Sequence, residues 1–181
     1  MNKQIPELSF VDIEKGDFNS INILSDALED HGFFSITEHG LSNELVDKCY
    51  QLSKQFFNLE YETKNKYSSV GSKGARGYTP KGIETAVGEN VPDQKEFWHH
   101  GPVVDDTFDQ KIPKNIIIDE MPEFNKYYDE LYLELHKIGS RVLSVIALSL
   151  DIDKNFFTPW IEKGNSLLRS IHYPPVDSNL N

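Results

Sequence analysis

PEFNKYYDELYLELHKIGSRVLSVIALSL, Pro122 to Leu150, is the stretch on which the fold of this chain turns. Met121, Phe124, Tyr128, Leu131, Leu135, Ile138, Val142 and Val145 step by three and four, so one stripe of a helix is continuously apolar. Leu143, Ile146, Leu148 and Leu150 then join the stripe, and almost no polar face is left. A helix that starts amphipathic and ends apolar all round passes from surface into core. Pro122 suits a first-turn position, where its missing N–H costs nothing, and Glu123 sets a negative charge at the positive end of the dipole. At roughly 1.5 Å per residue the helix is about 40 Å long, more than one small layer can cover. The pattern implies that something large packs on it.

Composition bounds what the rest can be. A chain of 181 residues fits one domain, or a domain and a piece of another. With 38% hydrophobic and 12% aromatic residues it has the material for a core and is not a disordered sequence. A net charge of −11 argues against nucleic acid and against an anionic membrane surface, both of which need clustered Lys and Arg. It leaves room for a small acidic substrate held in a local basic pocket. The single Cys49 cannot close an internal disulfide, Met1 to Phe10 lack the apolar core of a signal peptide, and Val142 to Leu150 is too short to span a bilayer. The expected compartment is the cytoplasm.

Outward from the long helix, the other elements follow in order. Ile5 to Asp12 reads as a short edge strand, and Phe18 to His31 as a helix with Ile21, Leu24 and Leu28 on one face and Gly32 as its terminator. Phe33 to Thr37 is a strand. Ser42 caps a helix with Leu45, Cys49, Leu52 and Phe56 on its inner face, and a short charged helix covers Tyr61 to Tyr67. Between Ser68 and Gly88 stand five glycines, Gly71, Gly74, Gly77, Gly82 and Gly88, with little periodicity, which predicts a long exposed loop. Lys95 to His100 and Ser166 to Tyr173 read as strands, the second stopped by Pro174-Pro175, and Asn155 to Trp160 as a helical turn. The chain divides into residues 1–121 and residues 122–181, the latter holding the long helix and the last strand.

The candidate chemistry is sparse. The glycine cluster has no strand before it and no Gly-Lys-Ser/Thr after it, so neither a dinucleotide fingerprint nor a P-loop fits. An iron site of the two-His-one-carboxylate type leaves a His-x-Asp or His-x-Glu trace. None of His31, His39, His99, His100, His136 and His172 has a carboxylate two positions on, and His99 and His100 alternate across a strand. No metal ligand and no catalytic residue is assigned. Cys49 lies on an apolar helix face and reads as a buried thiol. Arg76, followed by Gly77 and Tyr78, stands in the glycine-rich stretch of an acidic protein. Its guanidinium suits a bidentate carboxylate, and the same position suits a solvated loop arginine. Arg169 and Tyr173 are four apart on the last strand and share a face.

IPELSFVDI (5–13), DALEDHGFFSITEHGL (26–41), QFFNLEYETKNKY (55–67), RGYTP (76–80) with KEFWHHGP (95–102), and LRSIHYPP (168–175) occur in one order across nearly the whole chain. Together they resemble the isopenicillin N synthase-like, 2-oxoglutarate- and iron(II)-dependent oxygenases. The resemblance implies an α+β chain made of the N-terminal helices and outer strands of a double-stranded β-helix, or jelly roll, whose barrel is incomplete here. In the family the iron ligands and the Arg-x-Ser that holds 2-oxoglutarate follow the Tyr-Pro-Pro motif. Iron(II) and 2-oxoglutarate are therefore cofactors of the complete family enzyme, and neither is expected to bind this chain alone. Tyr173 falls at the position whose hydroxyl contacts a cosubstrate or substrate carboxylate. With Arg169 it is assigned to cofactor binding, whereas Ile171 replaces the Asn of many plant members. Arg76 lies within a residue of a substrate-binding arginine in the penicillin-forming branch, so Arg76 and Tyr78 are assigned to the substrate. Three readings follow: an oxygenase represented by its N-terminal part, a binding module of the same fold that lost catalysis, and an inactive fragment.

Overall fold

The computed structural model describes residues 4–68, 75–85, 88 and 92–175, so Gly71 and Gly74 lie outside the described residues. The described part is α+β: helices and two small sheets, with no closed barrel among the described residues. It divides into two compact units, residues 1–42 with 134–164, and residues 43–133 with 165–181.

In the first unit, strand β1 (Glu7–Ser9) pairs parallel with β2 (Ser35–Thr37), Leu8 opposite Ile36. The expected strand from Ile5 to Asp12 is shorter than the sequence suggested. Ser9 ends it, because its Oγ accepts the backbone N–H of Asp12 at 3.3 Å and starts helix α1 (Phe10–Glu14). The same hydroxyl donates to Glu38 at 2.6 Å. Ser9→Ala is expected to cost about 1–2 kcal/mol by losing both bonds, read as a lowered urea midpoint. An unchanged midpoint would contradict the cap. Helix α2 (Phe18–Asp30) is capped by Asp17 and closed by Gly32, at φ 75°. Leu8, Ile13, Leu24 and Val145 form the core of the unit, with Ile21, Leu28, Phe34 and Ile146 against them. Arg141 lies 4.4 Å from the Phe10 ring centroid and grips both carboxylate oxygens of Glu14, which holds that carboxyl below its usual range. Short helix α6 (Thr158–Ile161) belongs to this unit, as the expected turn at Asn155 to Trp160.

Helix α5 (Glu123–Ser149) buries Phe124, Tyr128, Leu131 and Val145 of its stripe but leaves Leu135 38% exposed; its first part lies in the second unit and the rest in the first. Its end is not buried all round. Val145 and Ala147 are covered, but Leu148 is 48% exposed and, just past the helix, Leu150 is 57% exposed.

The second unit is built on helix α3 (Asn43–Phe57), helix α4 (Tyr61–Asn65) and an antiparallel sheet of β3 (Gly77–Thr79), β4 (Glu96–His100) and β5 (Leu168–His172), with β4 in the middle. Leu45, Cys49, Leu52 and Phe56 form the buried face of α3, as their spacing requires. Phe56 is fully buried, its ring 5.0 Å from Trp98, 5.7 Å from Tyr78 and 6.0 Å from Phe124. Cys49 donates to the Tyr127 carbonyl at 3.4 Å, and burial with the nearby Glu130 charge pushes its thiol up to about 11. A thiol reagent at mildly alkaline pH is therefore expected to leave Cys49 unmodified until the chain is unfolded. Rapid labelling of the native chain would contradict its placement.

The expected exposed loop from Ser68 to Gly88 contains the buried strand β3. Gly77 is not loop punctuation. It stands at φ 77°, and a Cβ there would fall 2.5 Å from the Tyr67 carbonyl oxygen, so only glycine lets the two backbones meet.

Candidate carboxylate-binding face

Strand alternation divides the side chains of the sheet between two faces. Tyr78, Glu96, Trp98, His100, Ser170 and His172 share the face that meets the helices. There Trp98 packs on Phe56 and Phe124, and Ser170 lies 2.7 Å from the Tyr128 hydroxyl. Thr79, Phe97, His99, Arg169 and Ile171 share the opposite face, and the alternation carries Tyr173 to their side, 67% exposed.

At the centre of the helix side is Glu96, 2% exposed. Its carboxylate accepts from Lys64 at 2.7 Å, from Tyr78 at 2.5 Å and from His172 at 2.8 Å. Lys64 also donates to the Phe57 carbonyl at 3.0 Å, and the His172 ring stacks on Phe57 at 5.2 Å. One carboxylate thus ties all three strands to α4. Burial alone would raise the Glu96 carboxyl, but the three donors, led by Lys64, hold it below its usual range. Beside this group His100 is fully buried, its Nε2 2.7 Å from Asp129, and its Nδ1 meets no partner.

On the opposite face Arg169 lies with its guanidinium carbon 4.5 Å from the Phe97 ring centroid, and its Nε donates to His99 Nε2 at 2.5 Å. Among the described residues that is its one hydrogen bond, and no carboxylate pairs with it. The arrangement offers an exposed two-pronged donor, backed by an aromatic ring, with exposed Tyr173 just past the end of the strand. Such a donor set fits a carboxylate.

The four residues singled out from sequence are separated. Arg169 and Tyr173 share the face just described. Tyr78 is turned the other way and is 2% exposed; burial, together with the bond of its hydroxyl to Glu96, raises its pKa far above the usual tyrosine value. Arg76 precedes β3 and is 1% exposed, so it is not a solvated loop arginine. Its terminal nitrogens donate to the Ala75 carbonyl at 2.7 Å and to Asn165 at 2.6 Å, and its Nε has no partner. It rests on Gly101, where a Cβ would fall 2.1 Å from the guanidinium carbon. Burial lowers its pKa, and no described carboxylate compensates the charge.

Among the described residues no three His, Cys, Asp or Glu side chains are grouped to hold a metal ion. His99 and His100 sit on opposite faces of β4, as the alternation requires. The described side chains do not fit iron, so no step through iron is derived from them. The parts that sequence reasoning missed are His99 and the Lys64–Glu96–His172 cluster. Their signal was a cross-strand register that no local pattern encodes.

A family model described as the N-terminal region of a non-haem dioxygenase in morphine synthesis matches residues 7–120. A 2-oxoglutarate-Fe(II) type oxidoreductase of Aspergillus fumigatus is 30% identical over 154 residues, covering 80% of this chain and 46% of that protein. Gibberellin 20 oxidase 2 of Arabidopsis thaliana is 24% identical, covering 96% of this chain and 47% of the oxidase. The chain thus spans about half the length of the relatives it matches. Among solved structures, a putative 2OG-Fe(II) oxygenase family protein from Caulobacter crescentus superposes with a TM-score of 0.86 at 35% identity, over 99% of this chain and 59% of that one. A full-length Neurospora crassa protein, solved in complex with alpha-KG, shares the fold with a TM-score of 0.78 at 23% identity, over 97% of this chain and 56% of that one. The chain belongs to the 2-oxoglutarate- and iron(II)-dependent oxygenase family, of which it carries the N-terminal region.

Proposed function

We propose that this chain is the N-terminal part of a non-haem iron(II), 2-oxoglutarate-dependent oxygenase that oxidises a small acidic molecule in the cytoplasm, with its iron ligands outside these residues. The observation that carries the proposal is the Arg169 guanidinium, exposed, without an acidic partner among the described residues and on one face with Tyr173. In a complete enzyme iron(II) and 2-oxoglutarate supply the oxidising chemistry. The part of this chain is to bind and orient: Arg169 and Tyr173 donate to a carboxylate of the cosubstrate, and Ile171 and Phe97 line the same side. Arg76 takes the substrate's carboxylate, because an anion at its unpartnered Nε would offset the burial of an uncompensated charge. Tyr78, buried with its hydroxyl on Glu96, does not reach the ligand.

Sequencing the gene past the codon for Asn181 tests the proposal. An in-frame His-x-Asp followed by a distant His is the expected result. A stop codon at that point would favour a binding module or inactive fragment of the same fold.

A further inference from the structure

We propose that His99 is the positioning residue of this face: a fixed acceptor that aims the Arg169 guanidinium at its carboxylate ligand. The inference rests on the reading of Arg169 given above. His99 and Arg169 are directly opposite on β4 and β5, and Arg169 Nε stands 2.5 Å from His99 Nε2. An arginine stays protonated in proteins, so Nε must be the donor and Nε2 the acceptor. His99 is therefore neutral, with its proton on Nδ1.

His99 is in turn a firm support. It is 5% exposed, and its ring lies 4.7 Å from Phe97, whose own ring underlies the guanidinium at 4.5 Å. An exposed arginine ordinarily spreads over many rotamers, and ordering it on binding costs affinity. Here the guanidinium is held at one nitrogen and across one face, which leaves its terminal N–H groups for a ligand. No sequence pattern marked His99 for this part, and the family match does not assign it.

The tautomer is the first readout. Long-range proton–nitrogen spectra of the labelled chain are expected to show His99 protonated on Nδ1 with Nε2 bare. Protonation on Nε2 would overturn the proposal. The second readout is exchange of the Arg169 Nε–H with water, expected to rise about tenfold in His99→Ala, the protection one hydrogen bond to a charged group gives. His99→Gln, which keeps an acceptor, is expected to restore most of it, a rescue that a purely packing role would not produce. Unchanged exchange in His99→Ala, or no rescue by His99→Gln in a variant that melts like the wild type, would overturn it. Neither measurement contains a ligand, so failure here leaves the carboxylate reading of Arg169 standing. Failure of that reading leaves this contact intact.

Discussion

Lys64→Met is expected to cost about 3–5 kcal/mol of stability at neutral pH, more than any exposed ion pair in the chain could account for. Lys64 and Glu96 are 7% and 2% exposed and meet at 2.7 Å. Removing the ammonium leaves a buried carboxylate that has lost its lysine and keeps only its bonds to Tyr78 and His172. The attraction itself is partly cancelled by the desolvation of both groups, so the loss reflects the stranded charge more than the worth of the pair. Two consequences separate this from a simple packing defect. The double variant Lys64→Met/Glu96→Gln is expected to recover much of the loss. In the wild type the folded-state pKa of Glu96 is lowered, so its contribution is present above the unfolded carboxyl pKa and fades as pH falls through the folded one. In Lys64→Met the sign reverses: the penalty is greatest at neutral pH and shrinks as acid protonates Glu96. Urea unfolding of the singles and the double at neutral and mildly acid pH decides the matter. Additive single effects, with no relief in acid, would refute the buried clamp.

In a complete enzyme, Tyr173→Phe is expected to raise KM for 2-oxoglutarate about tenfold or more, the roughly 1.5–3 kcal/mol of one hydrogen bond to a charged group. The prediction rests on the shared face of Arg169 and Tyr173 and on the rigid Pro174-Pro175 that follows. Arg76→Ala is expected to do the opposite. Arg76 is buried and bonded to Asn165, whereas Arg169 and Tyr173 are exposed, so its loss raises KM for the substrate and leaves uncoupled 2-oxoglutarate turnover nearly intact. Both constants for both variants, each checked for an unchanged melt, separate the roles. If Arg76→Ala abolishes 2-oxoglutarate turnover while Tyr173→Phe changes nothing, the two assignments are wrong.

The long helix, α2 with its Gly32 stop, and the inner face of α3 were legible because each carries a strong local signal, a stripe or a terminator. Helix α1 was hidden because it is five residues long and its start depends on one Ser9 hydroxyl, inside a run that alternates like a strand. Strand β3 was hidden for a related reason: three residues give no periodicity, and Gly77 looks like any loop glycine until Tyr67 is known to press on it. The burial of Arg76 is set by Gly101 and by Asn165, the latter 89 positions away. The histidines were weighed only as metal ligands. What gives His99 its part is its pairing with Arg169 across the sheet, a register fixed by the fold as a whole.

Anaerobic calorimetry of iron(II) with the 181-residue chain, alone and with 2-oxoglutarate, is the most direct test of the central claim, that these residues hold carboxylates while the metal is bound by others. Heats no larger than dilution are the expected result. A one-to-one iron site of submicromolar affinity would contradict it.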